Sequence, residues 1–150
     1  MQKTSKKRQK IRRVFRCLDK ANWGVNMAIC VCGGAMLQCT FGVAPSTLTL
    51  PPSTVKTSQA IATIMDFKPN SNIMPFGMCN SVLNPATKRP PPVVFTPAPC
   101  VPNTVAPWAP GAPTVLVNKF PALNNSSKLM CAWGGVISIV NPGQTSIMVP

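Results

Sequence analysis

Gly134-Gly135-Val136-Ile137-Ser138-Ile139-Val140-Asn141-Pro142-Gly143 is the stretch on which the fold reading turns. Four of the five residues from Val136 to Val140 are β-branched, and such side chains pack well on a pleated strand but lose rotamer freedom in a helix. A glycine pair precedes the run and Asn-Pro-Gly follows it, so the strand has a start and a turn at its end. Two further segments read the same way, each after a proline: Pro45-Ser46-Thr47-Leu48-Thr49-Leu50 and Pro113-Thr114-Val115-Leu116-Val117. Three similar strands in one small body suggest a pseudo-threefold arrangement. Recurrence of a proline-then-strand pattern, common to any β domain, accounts for the spacing equally well.

Outward from these strands the chain is dominated by turns. Lys68-Pro69-Asn70, Asn84-Pro85, Arg89-Pro90-Pro91-Pro92 and Ala106-Pro107-Trp108-Ala109-Pro110-Gly111 are incompatible with helix interiors. Proline lacks the amide hydrogen and clashes with the preceding helical turn. Only Thr57 to Met65 has room for a short helix, and its apolar residues make no clean stripe. The 150 residues include 18 prolines, with 45% apolar and only 11% charged side chains. Low charge with abundant aliphatic residues argues for a compact domain, not a disordered chain, and for a surface partly covered by a partner. The expectation is a small, mainly β domain of short strands and Pro-rich loops that needs a covalent or metal staple.

Charge divides the chain in two. Fifteen Lys and Arg oppose two carboxylates, and His and Tyr are absent. Without imidazole, every Ser-His or Cys-His nucleophile and every His-ligated metal is excluded. A carboxylate pair would require Asp19 to meet Asp66, so the chain is expected to bind or build, not to catalyse. Residues 1–26 hold nine of the cations and Asp19, a net +8, and the first proline is Pro45. The expected domains are a basic extension over 1–26 and a body over 27–150, with Met27 a second candidate start. Within the extension Ile11, Val14, Phe15 and Leu18 form one apolar helical stripe flanked by Lys and Arg. Such a helix suits a partner groove, an anionic membrane surface, nucleic acid, or no partner at all as a solubilising arm. Arg12-Arg13-Val14-Phe15 ahead of apolar residues 27–37 imitates a twin-arginine export signal, but Asp19, Lys20, Asn22 and Asn26 interrupt it. No stretch approaches the roughly 20 apolar residues of a membrane span.

Seven cysteines stand at 17, 30, 32, 39, 79, 100 and 131, with no Cys-x-x-Cys pair. Spacing alone leaves metal ligation, disulfides and buried free thiols all open.

Several blocks together resemble the cysteine-rich branch of the PAAR-like spike-tip family. They are Gly33-Gly34-Ala35-Met36-Leu37-Gln38-Cys39-Thr40-Phe41-Gly42, Ala44-Pro45-Ser46, Ala62-Thr63-Ile64-Met65-Asp66 and Asn72-Ile73-Met74-Pro75-Phe76-Gly77-Met78-Cys79. Pro99-Cys100-Val101-Pro102, Trp108-Ala109-Pro110-Gly111 and Met130-Cys131-Ala132-Trp133-Gly134-Gly135-Val136-Ile137 continue the likeness in order, over residues 28–145. The resemblance implies a cone-shaped, metal-stapled β domain without catalysis. It would sit as one copy per trimer on a VgrG- or gp5-like β-helical spike of a contractile injection machine, such as type VI secretion or a phage-tail-like particle. The implied tip assembles in the bacterial cytoplasm, is ejected through a target membrane and sometimes carries an effector.

The family's usual metal-binding His and its literal Pro-Ala-Ala-Arg motif are both missing; Pro85-Ala86-Thr87-Lys88 only echoes the latter. In the cysteine-rich branch the corresponding points are Cys39, Cys79, Cys100 and Cys131, so the implied ligand set is four thiolates. Zinc suits them best, at Zn–S of roughly 2.3 Å, and iron accepts the same ligands. Cys30 and Cys32 are expected as core or reserve, and Cys17 as no ligand. Leu48, Leu116 and Ile139 are the candidate docking residues, one per similar strand, each continuing a spike chain by edge pairing. The extension would take cargo or a neighbouring component through Ile11, Val14, Phe15 and Leu18. Two rivals belong to other classes: a zinc-stapled nucleic-acid binder using the basic arm, and an exported envelope protein. No groove-reading motif supports the first, and no specific nucleic acid is expected.

Overall fold

The computed structural model describes residues 28–51, 60–88 and 95–149. The basic arm, its stripe residues, Cys17 and the boundary at Met27 lie outside the described residues. The described chain is mainly β, with no α-helix among the described residues. Its strands are β1 (Ala28–Ile29), β2 (Met36–Cys39), β3 (Ser46–Thr47), β4 (Met78–Cys79) and β5 (Ala98–Pro99). Then come β6 (Ala112–Val117), β7 (Phe120–Ala122), β8 (Lys128–Met130), β9 (Val136–Asn141) and β10 (Met148–Val149). One 3-10 turn, Pro85–Thr87, is capped by the Asn84 side chain, which accepts from the Ala86 amide at 3.0 Å.

The largest sheet runs β3-β2-β9-β8, antiparallel throughout. Its period-2 alternation buries Leu37, Cys39, Leu129 and Ile137 on one face and turns Met36, Gln38, Lys128 and Met130 outward. In this register Cys39 faces Ile137 and Ile137 faces Leu129, so one thiol is set at the end of the sheet's core face. The Val136–Val140 expectation holds as β9, and Thr114–Val117 lies in β6. Thr47–Leu50 makes a shorter strand than expected. The Leu48 amide donates to Ala35 at 2.8 Å, its carbonyl accepts from Gly34 at 2.8 Å, and the Thr49 amide turns to Asn72 at 2.9 Å. The backbone groups of that stretch are shared among several segments, so the ladder stops at Thr47.

Two further expectations are corrected. The three similar strands are not equivalent: β3 and β9 flank β2 in one sheet, whereas β6 pairs with β7 in a separate hairpin. Residues 60–63 are extended and Ile64 and Met65 form a turn, not a helix. Ile61 bridges Cys32, Thr63 bridges Ala122, and Ala62 bonds Val31 on one side and Leu123 on the other. The Asp66 amide closes the turn on the Thr63 carbonyl at 3.2 Å, while residues 57–59 lie outside the described residues.

The main core gathers Val31, Leu37, Leu48, Ile73, Phe76, Trp108, Leu123, Leu129 and Ile137 around four of the cysteines. A smaller cluster packs Cys30, Ala112, Val117, Ala122 and Val149. Loops are tied to these clusters by side chains that serve the backbone groups left over by short strands. Trp108 Nε1 donates to the Asp66 carbonyl at 3.0 Å, Asn72 Nδ2 to Thr49 at 2.9 Å, and Gln144 Nε2 to Cys30 at 2.6 Å. No buried side-chain N or O among the described residues lacks a partner.

Val117 faces Phe120 across a two-residue turn in which Asn118 and Lys119 both have positive φ, 51° and 73°. That is the primed geometry whose twist matches a hairpin, and it favours Asn then Gly. Lys119→Gly therefore raises the urea midpoint, by up to about 1 kcal/mol of stability, because it removes a Cβ from the left-handed region. Lys119→Val lowers the midpoint; the opposite order of these two variants would show that the chain does not turn here.

Candidate metal centre

Four short elements deliver four thiols to one place. Cys39 closes β2, Cys79 closes β4, Cys100 follows β5 and Cys131 follows β8. Cys79 pairs with Ala98 in the β4–β5 ladder and bridges Gly42, which joins the second thiol to the turn after the first. The Cys100 amide donates to Gly77 at 2.7 Å, fixing the third beside β4. Cys131 bridges Thr104 and heads a tight turn, with its amide on Gly135 at 2.8 Å and the Gly134 amide on its carbonyl at 2.9 Å. Cys39 heads a turn of the same kind, the Gly42 amide donating to its carbonyl at 3.1 Å.

Cys39, Cys79, Cys100 and Cys131 are all buried and line a single small cavity, whose other walls include Phe41, Phe76, Pro102, Trp133 and Ile137. Apart from the thiols, no ionisable side chain lines it. The free space is about 10 Å³ for the centre of a water-sized sphere, on the order of one water or one ion. Burial pushes the Cys39 thiol above its ordinary 9.0, the backbone amides of Phe41 and Gly42 oppose that rise, and Cys131 and Cys79 add to it. Burial also raises Cys100, against the Phe76 backbone amide, with Cys79, Cys39 and Cys131 adding to the rise. Cys39 thus feels Cys131 and Cys79, and Cys100 feels Cys79, Cys39 and Cys131. Cys32 differs, because burial alone raises it.

The donor set fits a soft or borderline metal ion. Four sulfurs, dry walls and amide hydrogens aimed at Cys39 and Cys100 favour anionic sulfur held by a cation. Gly135 forms part of the cradle: a Cβ there would stand 2.7 Å from Cys39 Sγ. The sulfurs are gathered but not drawn into a finished shell, and among the described residues no group of three or more Cys, Asp or Glu stands ready to hold an ion. None of the six described cysteines is in a disulfide.

Other residues singled out from sequence fall elsewhere. Cys30 belongs to the smaller core cluster and Cys32 is a buried bridge residue, and neither lines the cavity. Leu48 is buried in the main core and offers no side chain to a partner. Ile139 is partly buried against that core and pairs with Leu37 of β2, while the β8 ladder on the other side of β9 covers Val136 to Ser138. Leu116 is half exposed on β6. Ile11, Val14, Phe15 and Leu18 are outside the described residues. Gly42 and Gly135 are site residues that the sequence reading did not assign. The signal was the short interval from each cysteine to a following glycine, Cys39 to Gly42 and Cys131 to Gly135.

No curated protein and no solved structure matches the chain. A family model described as "Domain of unknown function (DUF4280)" matches residues 31–144, a span that contains all four cavity cysteines. The chain belongs to this DUF4280 family.

Proposed function

We propose that the body is a metal-stapled, non-enzymatic tip that caps a trimeric β-helical spike of a contractile injection machine. The observation that carries the reading is the gathering of Cys39, Cys79, Cys100 and Cys131 at one cavity from segments 40, 21 and 31 positions apart. Four thiolates around zinc make a closed tetrahedral site with no open position, so the ion staples and does not react; iron would be held by the same residues. A body with such short strands gains most from a link that closes long loops. The likeness of residues 28–145 to the cysteine-rich PAAR-like tips supports the capping role.

The surface supports a partner as well. Val43, Val82, Leu83, Val101, Val105, Leu116, Met130 and Val140 are all at least half exposed. Leu116, on a hairpin separate from the main sheet, has the most exposed side chain of the three docking candidates Leu48, Leu116 and Ile139. The basic extension serves cargo or a neighbouring component, its charge aiding encounter and its apolar stripe giving contact. In this reading the tip assembles in the bacterial cytoplasm, one copy per spike trimer, and leaves with the spike through the target membrane.

Metal analysis of the purified chain is expected to give about one zinc or iron per molecule. Cys39→Ser, Cys79→Ser, Cys100→Ser and Cys131→Ser each lose it and unfold or aggregate, since a structural zinc contributes on the order of 10 kcal/mol. Cys17→Ser keeps it. A folded, metal-free wild-type chain sinks the reading.

Co-expression with a trimeric spike protein is expected to yield one tip per trimer. Leu116→Asp weakens that co-purification without lowering the melting temperature, because the side chain is half exposed. Three tips per trimer, or tight salt-sensitive DNA binding with no spike capture, points to another function.

A further inference from the structure

Gly135 makes a close contact with a thiol of the cavity that a side chain would break. Gly135 is buried, and a Cβ built on it meets Cys39 Sγ at 2.7 Å, Phe41 Cδ2 at 3.5 Å and Thr40 Oγ1 at 3.6 Å. Its φ is outside the left-handed region, unlike that of Gly134 at 79°, so backbone conformation does not demand glycine there. The demand comes from the sulfur. The Gly135 carbonyl also accepts the Cys131 amide at 2.8 Å, so one residue touches the approach of two thiols, which stand at the same end of the sheet where β2 and β8 finish.

The backbone amides of Phe41 and Gly42 favour the anionic form of Cys39, and the Gly42 amide also donates to the Cys39 carbonyl at 3.1 Å. Gly42 has its own close neighbour, since a Cβ there would stand 2.4 Å from Phe76 Cβ. The turn after Cys39 is therefore wedged between Phe76 and Gly135. The cavity that these residues line is small, with Cys39, Cys79, Cys100 and Cys131 all on its walls.

We infer that Gly135 is a positioning residue that seats Cys39 Sγ for the single metal ion of the proposed four-thiolate site. This rests on the metal reading of the four thiols and adds to it a residue outside the ligand set that controls the site's geometry. A methyl group at 135 drives the sulfur out of line and fills the space the ion would take.

Cobalt(II) titration of the chelated full-length chain tests this, read by the thiolate-to-cobalt charge-transfer absorption and by the visible bands of tetrahedral cobalt. Wild type is expected to saturate at one cobalt per chain. Gly135→Ala is expected to bind about 10–100-fold more weakly, the usual cost of disturbing a ligand's support, with reduced tetrahedral bands. Gly111→Ala is the control, since its Cβ meets Ile64 Cγ2 at 2.5 Å, away from the thiols. It lowers the melting temperature and leaves cobalt affinity and spectrum unchanged. If Gly135→Ala does not fold, wild-type NMR decides. Exchanging zinc for the larger cadmium ion then shifts the Gly135 resonances more than those of any glycine outside the cavity.

Wild-type binding at one ion with an unaltered Gly135→Ala titration overturns this inference alone, as do unmoved Gly135 resonances. Uptake of iron with stoichiometric acid-labile sulfide overturns the mononuclear assignment. Failure of wild type to bind cobalt at all overturns the inference together with the metal reading beneath it.

Discussion

Four thiols buried side by side pose an electrostatic problem. As thiolates they repel one another in a dry cavity, and burial already raises Cys39 and Cys100. Protons relieve that conflict one sulfur at a time; a divalent ion relieves it for all four at once and ties their segments together. Cys39, Cys79 and Cys131 stand in or directly after strand ends, Cys100 follows another, and two of the four head tight turns whose amides fold back toward the cysteine.

The remainder of the body is organised by the shortness of its strands. Several of them are two residues long, so few backbone groups are served by continuous ladders. Isolated bridges and side chains such as Asn72, Trp108 and Gln144 take up the remainder. Such bonds hold loops in place but bury little apolar area each, and the compact core around Trp108, Phe76 and Leu129 carries the hydrophobic contribution.

Much of this was legible in the sequence, and unevenly so. The β-branched run at Val136–Val140 bounded by glycines and Asn-Pro-Gly announced β9, because local propensity and turn chemistry agree there. Gly143 has φ of 80° and its amide bonds the Asn141 side chain at 2.9 Å, as that turn requires. Thr47–Leu50 misled because Leu48 and Thr49 share their backbone with Ala35, Gly34 and Asn72, a tertiary choice that no local pattern encodes. Residues 60–65 had room for a helix in isolation, but strand partners at Cys32 and Ala122 claim Ile61 and Thr63. The four cavity cysteines could be singled out only through resemblance to a family, since their separations follow no local ligand motif. Gly135 escaped notice because its constraint is a sulfur brought near by the fold, not its own backbone angle.

The central claim is that the four thiols share one ion. X-ray absorption at the metal edge of protein purified without added metal tests it most directly. The account predicts one zinc or iron per chain with four sulfur neighbours at about 2.3 Å and no nitrogen, oxygen or second metal shell. Fewer than four sulfurs, a metal–metal distance, or folded protein without an absorbing ion would contradict it.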